Sequence, residues 1–352
     1  MLRAVRIRAA VAVDACRGFA SSVRPAQGEV YKQLEMFPEL KESVDACRQH
    51  QYARAVPPLT RMLQVCDSIS PALATEAAWE LGKVHARLGQ VEQAAQQFKR
   101  DVVHGPEQTI RMWLAHGRRD LALPLAASLP SPKKELYTSI AQLFSHEPLS
   151  NVADEAEAVT KAHAAALLVA QSSHQLDTET LLLPKVLAED DAAAFKDAES
   201  LFLAAIAAAG GDATESHFVA SLYANLGELY LASDRTEDAM NILGKALKLE
   251  ESLNEPVDLA RTLGLLAVGY HRLGQAVSSE GLFASSLEKF ATAPHLNRVH
   301  TIVYAKTLVG YSQLLQQWEK READGATKLA SAKALLEGES RDAWLSLVYL
   351  GL

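Results

Sequence analysis

A pattern of tyrosine, leucine, glycine and alanine recurs every 40 or 41 residues in this 352-residue chain. Its clearest copy runs Tyr223, Leu226, Gly227 and Tyr230, then Ala239, Leu243 and Ala246. A shift of 40 carries Leu226 and Tyr230 onto Leu266 and Tyr270, with Leu273-Gly274 and Phe283 following, and a further 41 carries Tyr270 onto Tyr311. In the other direction, Ala198 and Phe202 precede Ala239 and Leu243 by 41. A fixed period of this length means that each unit has an apolar face it cannot bury alone, so neighbouring units stack to form one continuous core.

Within each unit the apolar residues fall at i, i+3, i+4 and i+7, the spacing of one helix face, and the alternation of strands is scarcely present. Turn chemistry punctuates the helices at His104-Gly105-Pro106, Leu129-Pro130-Ser131-Pro132, Gly210-Gly211-Asp212 and Asn254-Glu255-Pro256. The chain is therefore expected to be all-α. Residues 75–106 carry another copy, with Ala78, Leu81, Gly82 and His85, then Leu88-Gly89, then Ala94 and Phe98, then Pro106.

These slots resemble the tetratricopeptide repeat, whose pattern is W-x2-L-G-x2-Y, then A-x3-F, then a closing proline. The resemblance implies a right-handed α-solenoid of helix-turn-helix repeats. Gly82 and Gly227 then let the second helix of a pair approach the first, while the tyrosine, leucine and phenylalanine slots fill the space between repeats. The period exceeds the usual 34. The surplus is expected between Leu247 and Thr262, as longer helices and a longer turn, similar to the extended repeats of kinesin light chains and of a mitochondrial tetratricopeptide protein associated with respiratory complex III.

The expected organisation is a presequence over 1–19, N-terminal repeats over 30–106, degenerate helical repeats over 107–178, four repeats over 179–340 and a capping helix over 341–352. Tyr52, Ala55 and Leu59 mark the earliest repeat, and Trp113, Gly117 and Ala122 a shortened one. The C-terminal stretch Arg341–Leu352 is unusually apolar, which suits a cap over the open end of the last repeat.

Residues 1–25 differ from the rest, with Arg3, Arg6, Arg8, Arg17 and Arg24 against the single acid Asp14. Arg-rich, acid-poor starts of this kind are transit peptides. Arg17-Gly18-Phe19 before Ala20-Ser21-Ser22 is similar to the cleavage signal of mitochondrial presequences, with the cut after Phe19. Loss of residues 1–19 takes the net charge from −8 to −11, a surface that disfavours phosphate backbones and anionic lipid. Cys16, Cys47 and Cys66 form no C-x-x-C, so no zinc ribbon or redox motif is available, and a reducing mitochondrial matrix is the expected address.

No phosphate-binding loop, H-E-x-x-H, nucleophile elbow or G-x-G-x-x-G is present. His295 and His300 read as surface or capping residues, and Glu250-Glu251 as a solvated helix end. The expectation is thus a non-enzymatic scaffold with no cofactor and no metal, acting as an assembly factor or accessory subunit of a mitochondrial complex, with the respiratory chain as the client the resemblance favours. Repeats of this kind hold a peptide or helix of a protein partner in a concave groove lined by first helices. Here the geometric candidates are Asn225, Glu228, Arg261, Leu265, Val268, His271, Arg272, Lys306 and Val309, with Arg261, His271 and Arg272 the most basic spot. The lysine and asparagine clamp that binds chaperone tails is absent, since its slots hold Leu40 and Val44, Trp79 and Lys83, Ala224 and Glu228, and Gly264 and Val268. The alternative is an RNA-associated helical-repeat protein of mitochondrial transcripts or ribosomes, which the 40-residue period and the acidic balance disfavour.

Overall fold

The computed structural model describes residues 28–131, 133–143, 161–162, 165–166, 169, 189–211, 216–253, 255–293, 295–336 and 346. The presequence over 1–19 and, apart from Ser346, the stretch 341–352 lie outside the described residues. Among the described residues every regular element is a helix, which makes the protein an all-α helical-repeat solenoid. The chain divides into two compact units, Met1–Lys134 with Ala293–Asn297, and Glu135–Thr292 with Arg298–Gly351.

In the first unit the helices are α1 (Gly28–Leu34), α2 (Pro38–Arg48), α3 (Tyr52–Ile69), α4 (Pro71–Arg87), α5 (Val91–Phe98), α6 (Gly105–Ala115) and α7 (Arg119–Ala126). They pair as hairpins α2/α3, α4/α5 and α6/α7. Tyr52, Ala55, Leu59, Met62 and Cys66 of α3 pack against Leu73, Ala77 and Leu81 of α4. Burial raises the Cys66 thiol pKa, as does the nearby charge of Asp67, so Cys66 is a packed thiol rather than a reactive one. At Gly82 an added Cβ would lie 2.7 Å from the Phe98 ring, so only glycine lets α5 approach α4 this closely. Trp79 fills the next space, its ring 5.1 Å from Phe98. Pro106 lies in the first turn of α6, where its missing N–H costs nothing.

In the second unit α8 (Lys133–Leu143) lies at the boundary, followed by α9 (Glu189–Ala208), α10 (His217–Ala232), α11 (Thr236–Leu253), α12 (Pro256–Arg272), α13 (Ala276–Thr292), α14 (Arg298–Leu315) and α15 (Glu322–Leu335). The hairpins are α10/α11, α12/α13 and α14/α15, with α9 packing on α10 as the second helix of the preceding repeat. All sixteen residues of α10 are buried, and among the described residues α9, α11 and α12 pack against it. Gly227 repeats the role of Gly82, since an added Cβ there would lie 2.5 Å from Leu243.

The expected longer turn between Leu247 and Thr262 is not what the surplus length builds. α11 runs to Leu253 and α12 starts at Pro256, so the extra residues extend the helices, which are 18 and 17 residues long. Helical extension adds one backbone hydrogen bond per residue, whereas a loop would leave those groups to solvent.

Each hairpin turns through one residue in the left-handed region. Glycine holds that place at Gly89, Gly117 and Gly274, while His50, Asp234 and Lys320 hold it elsewhere with φ of 55°, 58° and 68°.

Candidate functional site

Asn225 and Glu228 lie one turn apart on α10 and share a face. Arg261 on α12 donates through Nη2 to Asn225 Oδ1 at 2.7 Å and to Glu228 Oε2 at 2.8 Å. Lys306 on α14 ion-pairs with Glu228 Oε1. Because α12 stands between α10 and α14 in the row, one carboxylate can meet both cations only if the inner edges of the three first helices converge. Ser346 completes the cluster, its hydroxyl donating to Glu228 Oε1 at 2.8 Å and accepting from Lys306 Nζ at 3.1 Å.

The cluster is sealed rather than open. Asn225 is 0%, Arg261 4% and Glu228 5% exposed, and Val309, one turn after Lys306 on α14, is also buried. Burial by itself opposes ionisation of Glu228, but the charges of Lys306 and Arg261 and their hydrogen bonds outweigh it and hold the carboxyl at about 2. Arg261 Nε has no hydrogen-bond partner among the described residues.

The remaining groove candidates, Leu265, Val268, His271 and Arg272, are half-buried. The three side chains of the expected basic spot are each engaged within the fold. Arg261 is spent on Glu228, Arg272 donates to the backbone carbonyl of Leu231, and His271 Nε2 pairs with Gln317 Oε1 at 3.1 Å. Burial lowers the Arg272 pKa, with Asp234 opposing it.

Most of the repeat slots lie in the core, while Tyr270 and Pro106 are half-buried. Leu81, Ala94, Phe98, Tyr223, Leu226, Ala239, Leu266, Phe283 and Tyr311 are all buried. Tyr230 and Tyr311 also carry a device that the slot pattern does not mark. The Tyr230 hydroxyl donates to Glu199 Oε1 of α9 at 2.8 Å, Arg235 binds Glu199 Oε2 at 2.9 Å, and the Arg235 guanidinium lies 4.1 Å over the Tyr230 ring. Two repeats on, Tyr311 donates to Glu280 Oε1 at 3.3 Å and Arg321 to the same oxygen at 3.0 Å. Each set ties the second helix of one repeat to the first helix and turn of the next. The matching positions of Glu199 and Glu280 in their repeats are the sequence signal that could have revealed this.

Glu250 corrects a sequence expectation. It is 1% exposed, not a solvated helix end, and accepts from Thr262 Oγ1 at 3.0 Å. Burial, then the charge of Asp258, pushes its carboxyl well above the usual range. His217 Nδ1 lies 3.5 Å from Asp258 Oδ2 in the same region. Among the described residues no group of three His, Cys, Asp or Glu could hold a metal ion, and no helix is long and apolar enough to cross a membrane.

Residues 220–253 match the tetratricopeptide repeat family model. The matched stretch runs from the first turn of α10 to the end of α11 and contains Tyr223, Leu226, Gly227, Tyr230, Ala239 and Leu243, so this tetratricopeptide hairpin also supplies Asn225 and Glu228. The tetratricopeptide match supports a protein–protein interaction role and agrees with the absence of catalytic motifs. No curated protein matches the chain. The crystal structure of BtubC (BKLC) from P. vanneervenii is similar at 13% identity and a TM-score of 0.37, covering 82% of this chain and 91% of that one.

Proposed function

We propose that this protein is a non-enzymatic mitochondrial scaffold that binds a peptide or helix of a protein partner on the face formed by α10, α12 and α14. Its work is that of an assembly factor or accessory subunit of a larger mitochondrial complex, reached from the matrix side and peripheral to the inner membrane, with the respiratory chain as the client. The observation that carries the reading is the tetratricopeptide match over 220–253, on a row of first helices that converge at Glu228. Support for the address comes from the arginine-rich, acid-poor stretch before Ala20.

The test is a gentle affinity purification of the tagged protein from mitochondria, split into nuclease-treated and untreated halves. Subunits of one matrix or inner-membrane complex should be retained in both halves, at a native size above that of the chain alone. A monomer with no retained partners sinks the reading. Loss of every partner after nuclease would replace it with the RNA-associated alternative. Import into isolated mitochondria, with shortening after Phe19, checks the address separately.

A further inference from the structure

Ser346 belongs to no repeat, yet its hydroxyl sits at the polar centre of the first-helix face. It is 1% exposed and bonds to Glu228, 118 residues earlier in the chain, and to Lys306. A helix that only capped the last repeat would cover the outer side of α14/α15. Ser346 instead reaches α10, two repeats back, at the point where the inner edges of three first helices meet.

The chemistry of the contact is that of a ligand in a site. A hydroxyl both donates and accepts, so it can bridge a carboxylate and an ammonium, which no apolar side chain can do. Around it in sequence stand Trp344, Leu345, Leu347, Val348 and Tyr349, an apolar segment with one central hydroxyl. Such a segment suits a face whose rim is the half-buried Leu265 and Val268 and whose centre is the Glu228 ion cluster.

We propose that the C-terminal segment around Ser346 is an intramolecular ligand of the α10, α12 and α14 face, and that a protein partner must displace it to bind. This rests on the reading of that face as the partner-binding face. A tethered segment acts at an effective concentration on the order of millimolar. A free copy at micromolar concentration is then almost wholly excluded, while a partner that binds more tightly still enters. The partner segment would share the same chemistry, apolar with a central serine or threonine.

The test uses the full chain and a fluorescent peptide of residues 337–352. Ser346→Trp removes the bridging hydroxyl and does not fit a fully buried serine site, so the tethered segment should leave. Peptide affinity measured by anisotropy should rise at least tenfold in S346W over the wild-type chain, and a peptide carrying the same Ser346→Trp change should not bind. Equal affinity for wild type and a folded S346W overturns the proposal. Should S346W fail to fold, a protease site inserted between Leu336 and Glu337 of the wild-type chain gives the second measurement. After cleavage the 337–352 fragment should dissociate on dilution and the remaining body keep its helicity and take up labelled peptide. A body that unfolds, or a fragment that never leaves, makes the segment an integral part of the fold and overturns the proposal. Displacement is read in the purification, where an S346W bait should retain several-fold more of the partner subunits, and unchanged retention refutes it. The peptide assay contains no partner, so a purification that retains nothing removes the functional reading while leaving self-occupancy standing.

Discussion

Lys306 on α14 ion-pairs with Glu228 on α10, across the line of the helix between them. A contact of this range, 78 residues in sequence, brings three repeats to one carboxylate. It makes Glu228 the place where loss of a single charge is felt by α10, α12 and α14 together.

Glu228→Gln should be the most damaging conservative change in the second unit. Gln keeps the shape but takes the Glu228 charge away from the buried Arg261 and the half-buried Lys306, a loss of about 3–5 kcal/mol. The sign of the pH effect follows from the depressed carboxyl. With its folded value at about 2 against an ordinary 4.5, the Glu228 contribution is fully present above the ordinary value and is lost as pH falls towards 2. Wild type should therefore lose stability across that acid window while E228Q, already without it, changes less. Chemical denaturation at neutral and acid pH measures both, and equal midpoints for the two proteins at neutral pH would refute the assignment.

Glu250→Gln should act in the opposite direction. Glu250 is buried facing Asp258, and its raised carboxyl means that the folded state favours the protonated form. Its stabilising contribution is present below the ordinary carboxylate value and is lost as pH rises. At neutral pH the charged form therefore costs stability, and Gln, which still accepts from Thr262, should raise it by about 1–3 kcal/mol. Near pH 4 the same substitution should have little effect. Thermal melts at the two pH values decide, and a drop in Tm at neutral pH would contradict the argument.

Gly227→Ala and Gly244→Ala should differ in sign although both lie within α10/α11. At Gly227 the new methyl would meet Leu243 at 2.5 Å and force the hairpin apart, at about 1–3 kcal/mol. At Gly244 nothing lies within 4 Å of the added Cβ, so the helix gains from the lower chain entropy of alanine by about 0.5–1 kcal/mol. Urea midpoints of the two variants against wild type measure the contrast.

Lys320→Gly should stabilise the α14/α15 turn. Lys320 holds a left-handed conformation with φ of 68°, while the corresponding place in the α12/α13 turn is Gly274 with φ of 74°. Removing the Cβ should relieve about 1 kcal/mol, and Gly274→Ala should cost a similar amount. A fall in the Tm of K320G would show that the lysine side chain makes an offsetting contact.

The repeat slots were legible because they report a local property, the spacing of side chains along a helix, together with one steric demand, the absence of a Cβ at Gly82 and Gly227. Trp79, one place beyond its slot, still packs on Phe98, since a neighbouring position on a helix can serve the same interface. Glu250 reads as solvated in sequence because two adjacent acids at a helix end carry no sign of which one turns inward. A residue's slot number in its repeat does not tell an open groove position from one sealed by a cation in a later repeat.

The order of helices, the period of 40 or 41 and the absence of any catalytic motif follow from the amino-acid sequence alone, because they depend on residues within one repeat. Which polar groups meet was decided only by tertiary structure. Asn225 and Glu228 find Arg261 at separations of 36 and 33 residues, and Ser346 finds Glu228 at 118, distances that no helical periodicity encodes. They meet because stacked first helices converge on their inner side, and a buried carboxylate there must gather every donor within reach to stay charged.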